Sequence, residues 1–331
     1  MKIDIFPHVM PPEYIAALEE KLPPNVFLPY HNVHKVFPAL TDLKQRFIML
    51  DKCPDVVQVL TLSIPFVERV TDPKTAVELA KLGNDCLAEL VDKYPDRFIA
   101  AIGSLPMNDL DAAIDELDRT VNELKFKGVQ ICTDINGKPL DAPEFMPFYE
   151  KMISYDLPIL LHPTRSRENP EYETEDISLY KLHHMFGWPY DTSAAMIRLV
   201  MSRVMQKYPK IKFVTHHCGA MIPFFDKRIS TFLSDPDMVQ ESEGLDKSPV
   251  DYLKMFYADT ALSGGVAGLM CGYSFFGADH ILFGTDMPYG SRENFMVLEE
   301  VIKAINQMNI PDDEKEKIFS GNAIRLFHLK V

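Results

Sequence analysis

Three apolar stretches of this chain each run into an ionisable residue with a proline or glycine close behind. They are Ile159-Leu160-Leu161-His162-Pro163, Phe213-Val214-Thr215-His216-His217-Cys218-Gly219 and Ile281-Leu282-Phe283-Gly284-Thr285-Asp286-Met287-Pro288. A fourth, Ile3-Asp4-Ile5-Phe6-Pro7-His8, opens the chain. Unbroken aliphatic runs mark strands buried on both faces, and a polar residue at each C-terminal end would be delivered to a common rim. Imidazole nitrogen and carboxylate oxygen together suit zinc or another borderline divalent ion. A catalytic ion wants three protein ligands and an open position, and His8, His162 and Asp286 supply that set. A histidine of the Phe213–His217 stretch is then left as base or fourth ligand. Successive strand residues face opposite ways, so only one of His216 and His217 is expected to face the rim while the strand lasts. One histidine ending an apolar run is more often a satisfied core residue. Four strand ends of the same design describe a site.

Such residues need a scaffold that brings strand ends together. Strands are predicted at 3–11, 55–64, 98–105, 128–131, 158–162, 211–216, 256–259 and 280–284, with helices at 12–22, 71–94, 109–124, 143–155 and 191–208 and a last one after Asn294. This alternation of strand and helix over the whole length predicts one α/β domain spanning 1–331, a (β/α)8 TIM barrel, whose strand C-termini form the catalytic face. A doubly wound sheet fits less well, because the glycine-rich first turn is missing. The polar stretch from Thr164 to Phe186, just after the fifth strand, falls where a lid would lie; His183 and His184 within it are expected at the surface.

Composition narrows the classes. A formal net charge of -14 provides no basic footprint for nucleic acid. It leaves an anionic small molecule open, because a few placed arginines override a global field. No apolar run approaches the roughly 20 residues of a membrane span. The N-terminus reads as a strand rather than a secretion signal, and the five cysteines show no CxxC spacing, so a cytoplasmic protein with reduced thiols is expected.

The ordered motifs resemble the amidohydrolase superfamily, and in detail its aminocarboxymuconate-semialdehyde decarboxylase branch, the amidohydrolase-2 group. The similarity runs through Tyr94-Pro95-Asp96-Arg97-Phe98, Gly103-Ser104-Leu105-Pro106-Met107, Gly128-Val129-Gln130-Ile131, Leu161-His162-Pro163, Tyr208-Pro209-Lys210-Ile211-Lys212, His217-Cys218-Gly219, Gly284-Thr285-Asp286-Met287-Pro288 and Asn322-Ala323. The resemblance implies a decarboxylase of an aromatic or unsaturated carboxylic acid, with one divalent metal ion (zinc first, manganese as alternative), no organic cofactor and a homodimeric state. It implies His162 and Asp286 as ligands and His217 as the catalytic histidine, six residues before Pro223 in the family's H-x-G-x-x-x-P pattern, with His216 packed on the other face or turned away. Asp286 would share in proton transfer. Arg46 matches an arginine that grips a substrate carboxylate, and Arg228 one that reaches in from a neighbouring subunit.

One position departs from the family. Its usual opening is His-x-His or Glu-x-His, and here Phe6 takes the first ligand position, two residues before His8. Phe6 should therefore share a strand face with His8 and point inward without binding metal. Phe6, Trp188, Tyr190 and Tyr289 are the expected pocket aromatics. The alternatives are a hydrolase of a lactone, amide or C–C bond, acting with the metal or through His217 alone, and a barrel that binds a carboxylate without turnover.

Overall fold

The computed structural model describes residues 1–233, 244–290 and 297–330. Parallel staves follow one another around a closed barrel. The first is split into β1 (Lys2–Asp4) and β2 (His8–Val9), both paired with β3 (Val56–Leu62). Next come β4 (Phe98–Ala101) and its continuation β5 (Gly103–Ser104), then β6 (Val129–Cys132). A small antiparallel hairpin, β7 (Asp134–Ile135) and β8 (Lys138–Pro139), stands apart. The wall continues through β9 (Ile159–His162), β10 (Phe213–Thr215) and β11 (Tyr257–Ala258).

The eighth stave differs from the strand predicted at 280–284. It joins its neighbour by one bridge, Ala258 to Ile281, and closes on the first stave through Ile5 N–H to Phe283 O at 3.0 Å. Side chains replace the missing ladder: Thr260 Oγ1 accepts Gly284 N–H at 3.0 Å, and Asp4 Oδ1 accepts Thr285 N–H at 3.0 Å. Local sequence could not show those partners.

The period-two pattern of the staves sorts their side chains into two cores. Ile5, Val59, Ile102, Leu160, Val214 and Leu282 come from staves on opposite sides yet pack together, which places them inside the barrel. Their neighbours Ile131, Ile159, Leu161, Phe213 and Phe283 pack outward against the helices. Two residues beyond Leu160 and Val214, on the same interior face, stand His162 and His216.

Helices Pro73–Lys93 and Leu110–Asn122 form where their periodicity predicts, each capped by an aspartate, Asp72 or Asp109. The segment predicted as one helix over 191–208 is two, Trp188–Met201 and Val204–Lys207, interrupted where Arg203 takes a φ of 67°. Helices Pro24–Val36 and Leu43–Asp51 were not anticipated; the first contains Pro29, which masks it in the sequence. The predicted final helix runs from Val297, and the stretch just after Asn294 lies outside the described residues. Residues 164–181 carry no helix or strand and lead into a π-helical turn, His183–Gly187.

Candidate active site

His8, His162 and His216 gather at the C-terminal ends of three staves, with one ring nitrogen of each within 4.8 Å of the others. Each ring is held from behind through Nδ1. His8 Nδ1 meets Thr61 Oγ1 at 3.0 Å and Leu62 O at 3.2 Å, and His162 Nδ1 meets Pro163 O at 2.7 Å. His216 Nδ1 is in close contact with Asp259 Oδ2. A ring tied at Nδ1 presents Nε2, and among the described residues the buried Nε2 atoms of His8 and His216 meet no partner in hydrogen-bond geometry. Leaving such atoms unpaired costs about 1–3 kcal/mol each, so the arrangement fits an electrophile held at their focus. Asp286 Oδ1 lies beside that focus, 3.2 Å from His8 Nε2 and 3.6 Å from His216 Nε2. This donor set of imidazoles and one carboxylate fits a divalent cation such as zinc or manganese.

The expectation for His216 is overturned. It is buried inside the barrel, stacked on Phe6 with ring centroids 4.1 Å apart, and belongs to the cluster of possible ligands. Strand alternation from Val214 holds for His216 but not for His217, because β10 ends at Thr215. His217 and Cys218 then take φ of 56° and 55°, a left-handed turn that brings the next ring back toward the site. His217 lies 3.9 Å from the His216 ring and groups with His216 and Asp286 as a second set of possible ligands. Both histidines therefore reach the rim.

Phe6 packs among the histidines, 5.5 Å from His8 and 6.2 Å from His162. Gly284 permits this closeness: a Cβ there would stand 3.0 Å from that of Asp259 and 3.2 Å from that of Phe6. Trp188 stands 5.4 Å from His162, held by its indole N–H to Arg165 O at 3.0 Å. Tyr289 lies 5.7 Å from His8 and hydrogen-bonds Ser63. Tyr190 is exposed and lines a groove on the outer surface, so it is not a pocket aromatic. His184, expected at the surface, is exposed but also packs on Trp188 at 4.1 Å.

The electrostatics separate these groups. Burial opposes charge on His216, but Asp259 and then Asp286 outweigh it and push its pKa up to about 10. Burial also opposes ionisation of Asp286, yet His216 and His8 hold its carboxyl well below the ordinary range. His162 and His217 are driven well below the usual histidine value, first by burial and then by the neighbouring His216. At neutral pH His217 is thus a neutral imidazole beside an ionised carboxylate.

The arginines fall elsewhere than the resemblance implied. Arg46 is fully buried and donates to protein acceptors: Nη1 to His8 O at 2.7 Å and Ala39 O at 3.3 Å, Nε to Gln58 Oε1 at 3.0 Å. Gln58 passes the connection to Asp4 Oδ2 at 3.1 Å, and Asp4 holds Thr285 through its hydroxyl at 2.6 Å. This relay ties His8 to the turn carrying Asp286. Arg46 thus supports the backbone of His8 through Nη1, while among the described residues its buried Nη2 finds no hydrogen-bond partner. Arg228 is exposed, its guanidinium 4.8 Å from the Phe232 ring, in an apolar groove of about 550 Å³ shared with Tyr190, Ile197 and Phe225.

Asp259 was not singled out from the sequence. Its Oδ1 accepts the N–H groups of Cys218 and Ala261 at 3.1 and 3.0 Å, while Oδ2 orients His216. The signal was present, since Asp259 also ends an apolar run, Phe256-Tyr257-Ala258-Asp259.

Residues 33–329 match the amidohydrolase family. Gamma-resorcylate decarboxylase of a Rhizobium species (strain MTP-10005) is 30% identical over 328 residues, covering 96% of this chain and 97% of that protein. The 2-amino-3-carboxymuconate-6-semialdehyde decarboxylase of Dictyostelium discoideum is 30% identical over 258 residues, 78% of this chain and 68% of the relative. Among solved structures, a dihydroxybenzoic acid decarboxylase from a Polaromonas species, with bound manganese and the inhibitor 2-nitroresorcinol, superposes with a TM-score of 0.80 at 27% identity, covering 99% of this chain and 96% of that one. With the histidine and aspartate cluster at the strand ends of a closed barrel, this chain belongs to the amidohydrolase family, in its amidohydrolase-2 group.

Proposed function

We propose that the chain is a metal-dependent, cofactor-free decarboxylase of an aromatic or unsaturated carboxylic acid. One observation carries the reading: three histidines tied off at Nδ1 turn their other nitrogens on one point beside an ionised Asp286. His8, His162 and Asp286, with His216 as the further ring, would hold the ion. Zinc is the first expectation from the donor set, and the manganese of the solved Polaromonas relative is the alternative. When bound, the ion supplies a Lewis acid for a substrate oxygen.

In the reaction the bond from ring or alkene carbon to the carboxylate breaks, carbon dioxide leaves, and the carbon takes a proton. His217, neutral at pH 7, is suited to accept a proton at an imidazole nitrogen, and Asp286, a carboxylate at the outset, would first take a proton from the substrate or from water and then hand it to carbon. Trp188 and Phe6 offer flat apolar surfaces against which a planar acid would lie. Arg228 and the apolar groove around it fit the expected homodimer better than a role within one barrel. The free cysteines agree with a cytoplasmic setting, and among the described residues no helix is long and apolar enough to cross a membrane.

The test pairs metal analysis with product analysis. Protein purified without added metal or chelator should hold about one equivalent of zinc or manganese, lost in His8→Ala and Asp286→Ala. Dihydroxybenzoates supplied to the loaded enzyme should release carbon dioxide. Incorporation of solvent oxygen without carbon dioxide would instead make it a hydrolase.

A further inference from the structure

We propose that an arginine-rimmed cavity beside the histidine cluster is a subsite for a second anionic group, so that the substrate is an acid with two negatively charged substituents. This rests on the decarboxylase reading and narrows its substrate class. The cavity, of about 620 Å³, shares walls with the cluster: Phe66 and Trp188 line it, and their rings stand 5.0 and 5.4 Å from His162. Pro163, the residue after His162, lines it too. Arg69, Arg165 and Arg167 also line it, against a single carboxylate, Glu168. The chain as a whole has 48 acidic and 34 basic residues, and a lining of three arginines and one glutamate, with Asp134 and Asp191 beside the first two, departs from that balance.

The three arginines are held to different degrees. Arg69 Nη1 donates to Asp134 Oδ1 at 2.9 Å and reaches Asp134 O at 3.5 Å; among the described residues its other nitrogens find no acceptor. That contact fixes the guanidinium and leaves donors over. Arg165 Nη1 stands 3.7 Å from Asp191, beyond hydrogen-bond distance. Its stem crosses Gly187, where a Cβ would stand 2.3 Å from Arg165 Cδ, so only glycine leaves that path open. Its carbonyl holds the Trp188 indole, which couples the arginine segment to the ring that covers His162. Arg167 is exposed and has no carboxylate partner among the described residues beyond its neighbour Glu168. Arg46 is committed to His8, Ala39 and Gln58, so an anion extending past the cluster meets these three. A guanidinium binds carboxylate with two parallel hydrogen bonds, which sets both affinity and direction.

Benzoate and isophthalate, a monoanion and its 1,3-dicarboxylate, are the probes, titrated calorimetrically into the metal-loaded full chain. Isophthalate should bind at least about tenfold more tightly at low salt, an advantage that shrinks as salt rises. Arg165→Met and Arg167→Met should each reduce that ratio, and together bring it near one with benzoate affinity unchanged. Arg198→Met removes the same charge from an arginine paired with Asp141 outside the cavity and should leave the ratio alone. Arg69→Lys keeps the charge and the Asp134 contact and serves where Arg69→Met fails to fold.

Equal affinity for the two acids, a ratio that survives the double variant, or an equal effect of Arg198→Met would each overturn the subsite. Absence of carbon dioxide from any acid, with the isophthalate preference intact, would sink the decarboxylase reading and leave the subsite standing. Equal turnover of monoanionic and dianionic acids would do the reverse.

Discussion

Replacing Arg46 by methionine distinguishes a residue that grips substrate from one that supports the site. The substitution keeps much of the side-chain volume and removes the cation. Gln58 Oε1, His8 O and Ala39 O lose their donors, at 3.0, 2.7 and 3.3 Å. Hydrogen bonds from a charged donor contribute about 1.5–3 kcal/mol each, so the gross loss is roughly 5–6 kcal/mol with the longest contact discounted. Against it stands the relief of an unfavourable charge. Burial lowers the Arg46 pKa to about 10, only partly countered by Asp4, and that displacement corresponds to roughly 3 kcal/mol. The hydrogen bonds win, and a net destabilisation of about 2–3 kcal/mol is expected. At roughly 2 cal/mol/K per residue over the 331 residues, Tm should fall by about 3–4 °C. Calorimetric melting of the metal-loaded protein and steady-state kinetics well below Tm make the assay. KM should stay within about twofold, because the guanidinium does not face substrate. A tenfold rise in KM with an unchanged Tm would refute the reasoning and return Arg46 to the substrate carboxylate.

Two further perturbations follow from the same buried groups. Glu68 is sealed from solvent, and burial, which outweighs its backbone and Cys132 hydrogen bonds, pushes its pKa up to about 7 from an ordinary 4.5. Its neutral form is thus favoured in the fold, so its stabilising share is complete below pH 4.5 and is lost as pH rises through 7. The loss amounts to roughly 3 kcal/mol. Glu68→Gln should therefore gain stability over the native chain between pH 5 and 8 in urea titrations; a difference independent of pH would contradict the assignment. Asp259→Asn should loosen the His216 ring and weaken divalent-metal affinity by about 10–100-fold, read by competition with a chromophoric chelator. Unchanged affinity would remove Asp259 from the support of the site.

Much of this architecture is written locally. The apolar runs that end in His162 and His216 read as strands from the sequence alone, because residues buried on both faces of a parallel sheet must be apolar along their length. The same pattern, with the strand–helix alternation, implies a barrel with one ionisable rim, and it places Phe6 on the face of His8. What local pattern could not decide was which groups beyond the strand ends turn inward. His216 and His217 both reach the site because β10 stops at Thr215 and the backbone enters a left-handed turn held by Asp259, a residue on the next stave. Arg46 looks like a surface arginine or a substrate clamp until Gln58 and Asp4, from two other staves, are seen to surround it. The eighth stave lacks its predicted strand because Asp4 and Thr260 side chains take the place of ladder partners. In each case the deciding partner is remote in sequence. Strand identity follows from residue periodicity, whereas the direction of a buried charge is set by where its counterpart lies in space, which only closure of the barrel determines.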